Sequence, residues 1–120
     1  MELLDEDNEI HEIRLAHVDC PEKKQDFGTK AKIFSSNFCF GKIITAYQES
    51  KDRYGRKICI IKADGKELNL EIIKAGLGWH YVQYSDSEIH ATAEQKARKA
   101  KRGIWSHKKP IAPWEFRKRK

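Results

Sequence analysis

The stretch Ile13-Arg14-Leu15-Ala16-His17-Val18-Asp19-Cys20-Pro21-Glu22 constrains this chain more than any other. It opens with strand composition and ends at a proline. Pro21 fixes its own φ and biases Cys20 toward extended geometry, so regular structure stops there. Asp19 and Glu22 then sit on a stiff bend. Strict alternation puts Arg14 and Asp19, five residues apart, on opposite faces of a strand. For both to serve one site, the strand must end or bulge between them. A carboxylate on a stiff bend can hold a hard cation, and a nearby arginine can hold phosphate oxygens. Arg14 and Asp19 taken alone fit a structural ion pair equally well.

The coarse pattern reads as strands, a helix, strands, then two helices. Glu2–Asp5 has strand character and Asp5–Asn8 is a polar turn. Glu9–Val18 resumes as a strand, with Ile13 and Leu15 on one face and His11 and His17 in phase with them. Phe27, Ala31, Phe34 and Phe38 make a helical stripe over Asp26–Phe40, with Asp26 as cap and Gly41 as stop. That stripe reads as core. Strands follow at Lys42–Gln48 and Arg56–Lys62, separated by a polar loop. Asp64-Gly65 is a two-residue hairpin signal leading into a short strand at Lys66–Leu68. Asn69 is placed to cap a short helix that stops at Gly76. Trp79–Tyr84 is aromatic and irregular. Ser87–Arg102 reads as a helix burying Ile89, Ala93, Ala97 and Ala100, with Glu94 and Arg98 spaced to pair. Gly103 ends it, and Ile104 and Trp105 can fold back onto the core.

With 120 residues there is chain for one small core. No apolar run is long enough to cross a bilayer. The three cysteines, Cys20, Cys39 and Cys59, lack metal-site spacing and read as small buried side chains. The net charge of +6 is uneven. Residues 95–120 carry eleven Lys/Arg against one acid, while residues 1–94 carry thirteen against seventeen. A basic end behind an acidic front suits an anionic polymer held near a cation-binding pocket, although a solvated helix face and a frayed tail have the same composition.

Four motifs occur in order: Arg14-Leu15 with Asp19-Cys20-Pro21-Glu22, Asp52-Arg53-Tyr54-Gly55-Arg56, Asn69-Leu70 with Gly76-Leu77, and Gly103-Ile104-Trp105-Ser106. Together they resemble the staphylococcal nuclease family from about Glu2 to Trp114. The resemblance implies an α+β fold: an OB-type five-strand Greek-key barrel with three helices, spanning residues 1–106 and followed by a basic, weakly ordered tail at 107–120. It implies Ca²⁺-dependent hydrolysis of DNA and RNA phosphodiesters, with single-stranded or unstacked nucleic acid as partner. Carried over by motif, Arg14 and Arg56 contact the phosphate and Glu22 acts on the attacking water. Asp19 binds Ca²⁺ through its carboxylate and Cys20 through its backbone carbonyl. Arg53 and Tyr54 contact a neighbouring phosphate or nucleotide, and Tyr84 and Tyr81 stack on bases; a surface tyrosine is the plainer role for each ring.

The family's Asp-Gly-Asp-Thr segment, whose second aspartate is a principal Ca²⁺ ligand, has no counterpart within this sequence. Aligned through Glu2-Leu3-Leu4, it and the first barrel strand would precede Met1. The expectation is therefore a chain truncated in its barrel and metal site, poorly active, with an exposed barrel edge at which copies can self-associate. The alternative is an OB-type module that binds nucleic acid or protein without cutting. Many family members are secreted or periplasmic; no signal peptide stands in this chain.

Overall fold

A computed structural model describes residues 1–119, and Lys120 lies outside the described residues. In chain order the elements are β1 (Glu2–Leu4), β2 (Ile10–Leu15), β3 (Val18–Asp19), α1 (Gly28–Cys39), β4 (Thr45–Lys51), β5 (Lys57–Ala63), β6 (Lys66–Glu67), α2 (Leu68–Lys74), β7 (Trp79–His80), α3 (Glu88–Lys99), a 3-10 turn (Gly103–Ser106) and α4 (Pro113–Arg117). This is an α+β fold.

The main sheet runs β1-β2-β5-β4, with β6 hairpinned onto β5 across Asp64-Gly65. The β2–β5 pairing is parallel, and its neighbours are antiparallel. β1 and β4 are the outer strands of this path, so the described sheet is open and no closed barrel forms. A second, two-stranded sheet joins β3 to β7. Buried side chains of β2, β3, β5 and α2 pack with Ala93 of α3 into one core. Trp79, Ala97, Ile104, Trp105 and Ala112 form a second, with Phe27 and Trp114 packed on it.

β2 stops at Leu15 because His17 adopts a left-handed conformation, φ 67°. Such a residue ends strand geometry and redirects the chain. Alternation is thereby reset between Arg14 and Asp19, as the five-residue spacing requires. The break is pinned from beneath by Asn69. Its amide nitrogen donates to the carbonyls of Ala16 (2.8 Å) and Cys59 (3.0 Å), and its amide oxygen accepts from the Ile61 N–H (3.0 Å). Asn69 is completely buried. It is not the helix cap expected from its position; Glu67 is the N-cap residue of α2, without a side-chain cap bond.

Other local expectations are also corrected. The described residues form four α-helices rather than three. Asp26 does not cap α1, whose N-cap is Phe27 in a left-handed conformation. β4 lies three residues later than its apolar composition indicates. Pairing with β5 continues past a bulge between Gln48 and Ser50 to Lys51↔Lys57, which leaves Ile43 94% exposed. On α3 the buried face is His90, Ala93, Glu94 and Ala97, while Ile89 and Ala100 face solvent. Partners explain the rotation: Glu94 accepts from the His80 N–H at 3.0 Å, and His90 Nε2 bonds Glu67 at 2.6 Å. The expected Glu94–Arg98 pair is present at 3.5 Å. Within 107–120, residues 113–117 form α4 instead of a frayed tail, anchored by buried Ala112 and Pro113.

Replacing Asn69 by Ala should leave the Ile61 N–H and the Ala16 carbonyl without this partner in a dry interior, while the Cys59 carbonyl keeps its bond from the Ala16 N–H, and destabilise the fold by about 3 kcal/mol. The midpoint of urea denaturation measures it; an unchanged midpoint would show that the amide is dispensable.

Candidate active site

One cleft of about 1580 Å³ is lined by all nine side chains singled out from the sequence: Arg14, Asp19, Cys20, Glu22, Arg53, Tyr54, Arg56, Tyr81 and Tyr84. β2 presents Arg14. The short β3, paired through Asp19 to Trp79 of β7, presents Asp19. The bend after Pro21 presents Glu22, and the β4–β5 turn presents Arg53, Tyr54 and Arg56.

Two arginines of the cleft are held by different means. The Arg14 guanidinium lies over the Tyr81 ring, 4.6 Å from its centroid, and 5.7 Å from that of Tyr84. Arg56 donates through Nε to Asp52 Oδ2 at 2.7 Å. Asp52 Oδ1 accepts from the Tyr54 and Arg56 backbone N–H groups, both at 2.9 Å. Against a desolvation cost, these bonds hold the Asp52 carboxyl below its ordinary range. Asp52 thus shapes the turn and aims Arg56. Tyr54 and Tyr84 are strongly exposed, so their faces are available to a base. Tyr81 is buried, with its ring parallel to Trp114 at 5.5 Å. It supports Arg14.

Cys20 is partly buried and packs against the core. Burial, with a smaller contribution from Asp19, pushes its thiol up to about 12, which makes it inert as a nucleophile. Glu22 is held by its backbone: its N–H donates to Gln25 Oε1 at 2.9 Å and its carbonyl accepts from the Gln25 N–H at 2.8 Å. Gly28 permits this bend, because a Cβ there would meet the Glu22 carbonyl oxygen at 2.1 Å.

Arg117, at the end of α4, enters the same cleft. Its Nη2 donates to Asp19 Oδ2 at 2.6 Å, while Nη1 donates to Glu22 Oε1 at 2.8 Å and, at 3.4 Å, to Asp19 Oδ1. Nη2 also lies 3.5 Å from the Tyr81 hydroxyl. The bond to Asp19, and after it the one to Glu22, pushes the guanidinium further into its charged form. Charge alone does not distinguish Arg117 from the basic residues beside it. Its Pro-Trp-Glu-Phe-Arg context was the available signal: Pro113 starts a helix and Trp114 has the size to anchor one.

Ca²⁺ takes six to eight oxygens. Four acidic residues line the cleft, Glu2, Asp19, Glu22 and Asp52; Asp52 is tied to Arg56, and a guanidinium already bridges Asp19 and Glu22. As arranged, these residues do not fit a Ca²⁺ site. Among the described residues, three metal-capable side chains do converge at Asp5, Glu9 and His11, but none of these lines the cleft.

Behind the cleft lies a histidine network. Ser85 Oγ is 2.7 Å from His17 Nδ1 and 2.9 Å from His80 Nε2, and His17 stacks on His90 at 4.6 Å. Burial lowers the His80 pKa, with Glu94 opposing and His90 and His17 reinforcing.

Arginines converging with carboxylates in an open cleft of an α+β domain are equipment for handling phosphate groups. The chain belongs to the staphylococcal nuclease family. The family model described as staphylococcal nuclease homologue matches residues 12–107. An uncharacterized endonuclease of Escherichia coli is 38% identical over 109 residues, covering 90% of this chain and 71% of that protein. One of Haemophilus influenzae is 35% identical over 111 residues, covering 92% and 62%. A staphylococcal-like nuclease of Arabidopsis thaliana is 37% identical over 108 residues, covering 90% of this chain but 33% of its own length. No helix is long and apolar enough to cross a membrane among the described residues.

Two measurements probe this site. Gly28→Ala should cost about 2 kcal/mol and displace the Glu22 bend, because the methyl meets backbone rather than a flexible side chain; a thermal melt and the Glu22 amide resonance report it. The unfolded His80 imidazole protonates near its ordinary value of 6.5, and the folded one at lower pH. Stability is therefore complete above 6.5 and falls as pH drops through that value toward the folded pKa. Glu67, held below 4.5 chiefly by its His90 bond, adds a second loss at lower pH. Denaturation midpoints across pH should show the first slope, and His80→Gln should flatten it.

Proposed function

We propose that this chain is a nuclease-type phosphodiester hydrolase acting on single-stranded or unstacked DNA and RNA with little sequence preference. The observation that best supports it is the single cleft shared by Arg14, Arg56, Asp19 and Glu22 in a member of this family. Hydrolysis puts charge on a five-coordinate phosphorus and needs fixed positive groups at its oxygens. Arg14, backed by Tyr81, and Arg56, aimed by Asp52, supply planar forks that match two phosphate oxygens and do not lose their charge. Glu22 orients the attacking water, or takes its proton, through Oε2, the oxygen Arg117 does not bond. Arg53 and Tyr54 contact a neighbouring phosphate or nucleotide, and Tyr84 stacks on a base.

Ca²⁺ is the cation the family resemblance implies, with the Asp19 carboxylate and the Cys20 carbonyl as ligands. These donors are few, so the 120-residue chain should bind Ca²⁺ weakly and cleave slowly. The OB-type strand order belongs to the same reading, as does self-association: β4 has all seven residues exposed and is the edge a second copy would pair with.

The occupation of both carboxylates by Arg117 favours a second reading, a module that binds nucleic acid without cutting. Incubation with denatured DNA, in Ca²⁺ and in chelator, separates the two. The expected result is slow, chelator-sensitive cleavage that Arg14→Ala, Arg56→Ala and Glu22→Gln each abolish, with DNA binding retained in Glu22→Gln. Binding with no cleavage by the unaltered chain selects the module, and undiminished cleavage by Glu22→Gln overturns the assigned roles.

A further inference from the structure

We propose that Arg117 is a tethered counter-cation of the Asp19–Glu22 pair, that it and a divalent metal ion exclude each other there, and that α4 is the latch deciding which of them the carboxylates hold. The inference builds on the candidate site but not on catalysis.

Three observations carry it. First, the guanidinium spans both carboxylates, with contacts of 2.6 and 3.4 Å to the two oxygens of Asp19 and 2.8 Å to Glu22. These are the lone pairs a metal would use. A divalent ion seated on them would lie within a few ångströms of a permanent positive charge, beside an Asp19 side chain only 11% exposed, where water screens poorly. Second, loss of the arginine's proton cannot relieve the exclusion. An arginine does not release its proton in the working range of a protein, so near neutral pH it is a competing ligand, or movement of the Arg117 side chain or of α4, that frees the carboxylates. Third, the contact is delivered by an anchored element with an exposed end. Ala112 and Pro113 are buried, and Trp114 packs parallel to Tyr81 and edge-on to Trp79 at 5.5 Å. Arg117 itself is 37% exposed, and Lys118 and Arg119 after it face solvent. The side chain can swing out while Trp114 stays seated. A released guanidinium, still tethered at the rim, is placed to hold a phosphate oxygen instead.

Calorimetric titration with CaCl₂ tests this on the folded chain, without reference to cleavage, so a failure of the nuclease reading leaves it intact. Arg117→Met removes the charge and keeps most of the side-chain bulk. It should bind Ca²⁺ at least about tenfold more tightly than the unaltered protein. Arg117→Lys, which keeps a cation but loses the fork, should fall between them. Adding Asp19→Asn to Arg117→Met should erase the gain. Equal or weaker binding by Arg117→Met overturns the proposal and marks Arg117 as a support for the carboxylates. So does a lack of binding by that variant up to about 10 mM, beyond the range of weak Ca²⁺ modules. Should Arg117→Met fail to fold, judged by circular dichroism, the unaltered protein decides. Its Arg117 Nε–H and Trp114 indole resonances should move as Ca²⁺ is raised to that concentration, and their constancy refutes displacement.

Discussion

The amide of Asn69 is the interaction on which the rest of the structure depends. Where β2 leaves β5 and the chain turns at His17, the Ala16 carbonyl, the Ile61 N–H and the second lone pair of the Cys59 carbonyl face a dry interior. One side chain with two donors and an acceptor bonds all three. Because it does, the strand can break. Because the strand breaks there, Arg14 and Asp19 reach the same cleft despite an odd spacing that would otherwise separate them. The polar network is fully satisfied at its centre, the condition under which buried polarity specifies a single arrangement.

The electrostatics of the cleft follow from how each charge is held. Arg14 rests on an aromatic face, Arg56 is tied to Asp52, and Arg117 is spent on Asp19 and Glu22. Of these three forks two keep donors free, and the third neutralises Asp19 and Glu22; the cleft's fourth arginine, Arg53, lies over the Tyr54 ring. The same α4 segment links the site to the tryptophan cluster, since Trp114 touches both Tyr81 and Trp79.

Much of this was legible in the sequence. Parity between positions 14 and 19 demanded a break, and one is present. Asp64-Gly65 fixed a hairpin by turn chemistry, and the motifs picked out seven residues that share one cleft with the aromatic Tyr81 and Tyr84. What stayed hidden was carried by long-range partners. Asn69 satisfies the local rule for a cap, and only the fold shows that its amide reaches Ala16, 53 residues away. The buried face of α3 was misread because hydrophobicity favours Ile89 over His90 and Glu94, whose burial is bought by bonds to Glu67 and the His80 N–H. β4 was shifted because register with β5, not composition, sets its limits. Arg117 was lost in a run of basic residues, where composition describes the average and function rests on one member.

The bond between Arg117 and Asp19 closes a loop of 98 residues. On a ribosome, that ordering has a temporal meaning. The core strands and Asn69 emerge well before residue 117, so the scaffold of the cleft can assemble while its two carboxylates still lack their guanidinium. Domains acquire structure as they are made, and contacts distant in sequence form late. A nascent chain thus holds Asp19 and Glu22 without their shared partner first, and pairs them only once α4 has left the exit tunnel.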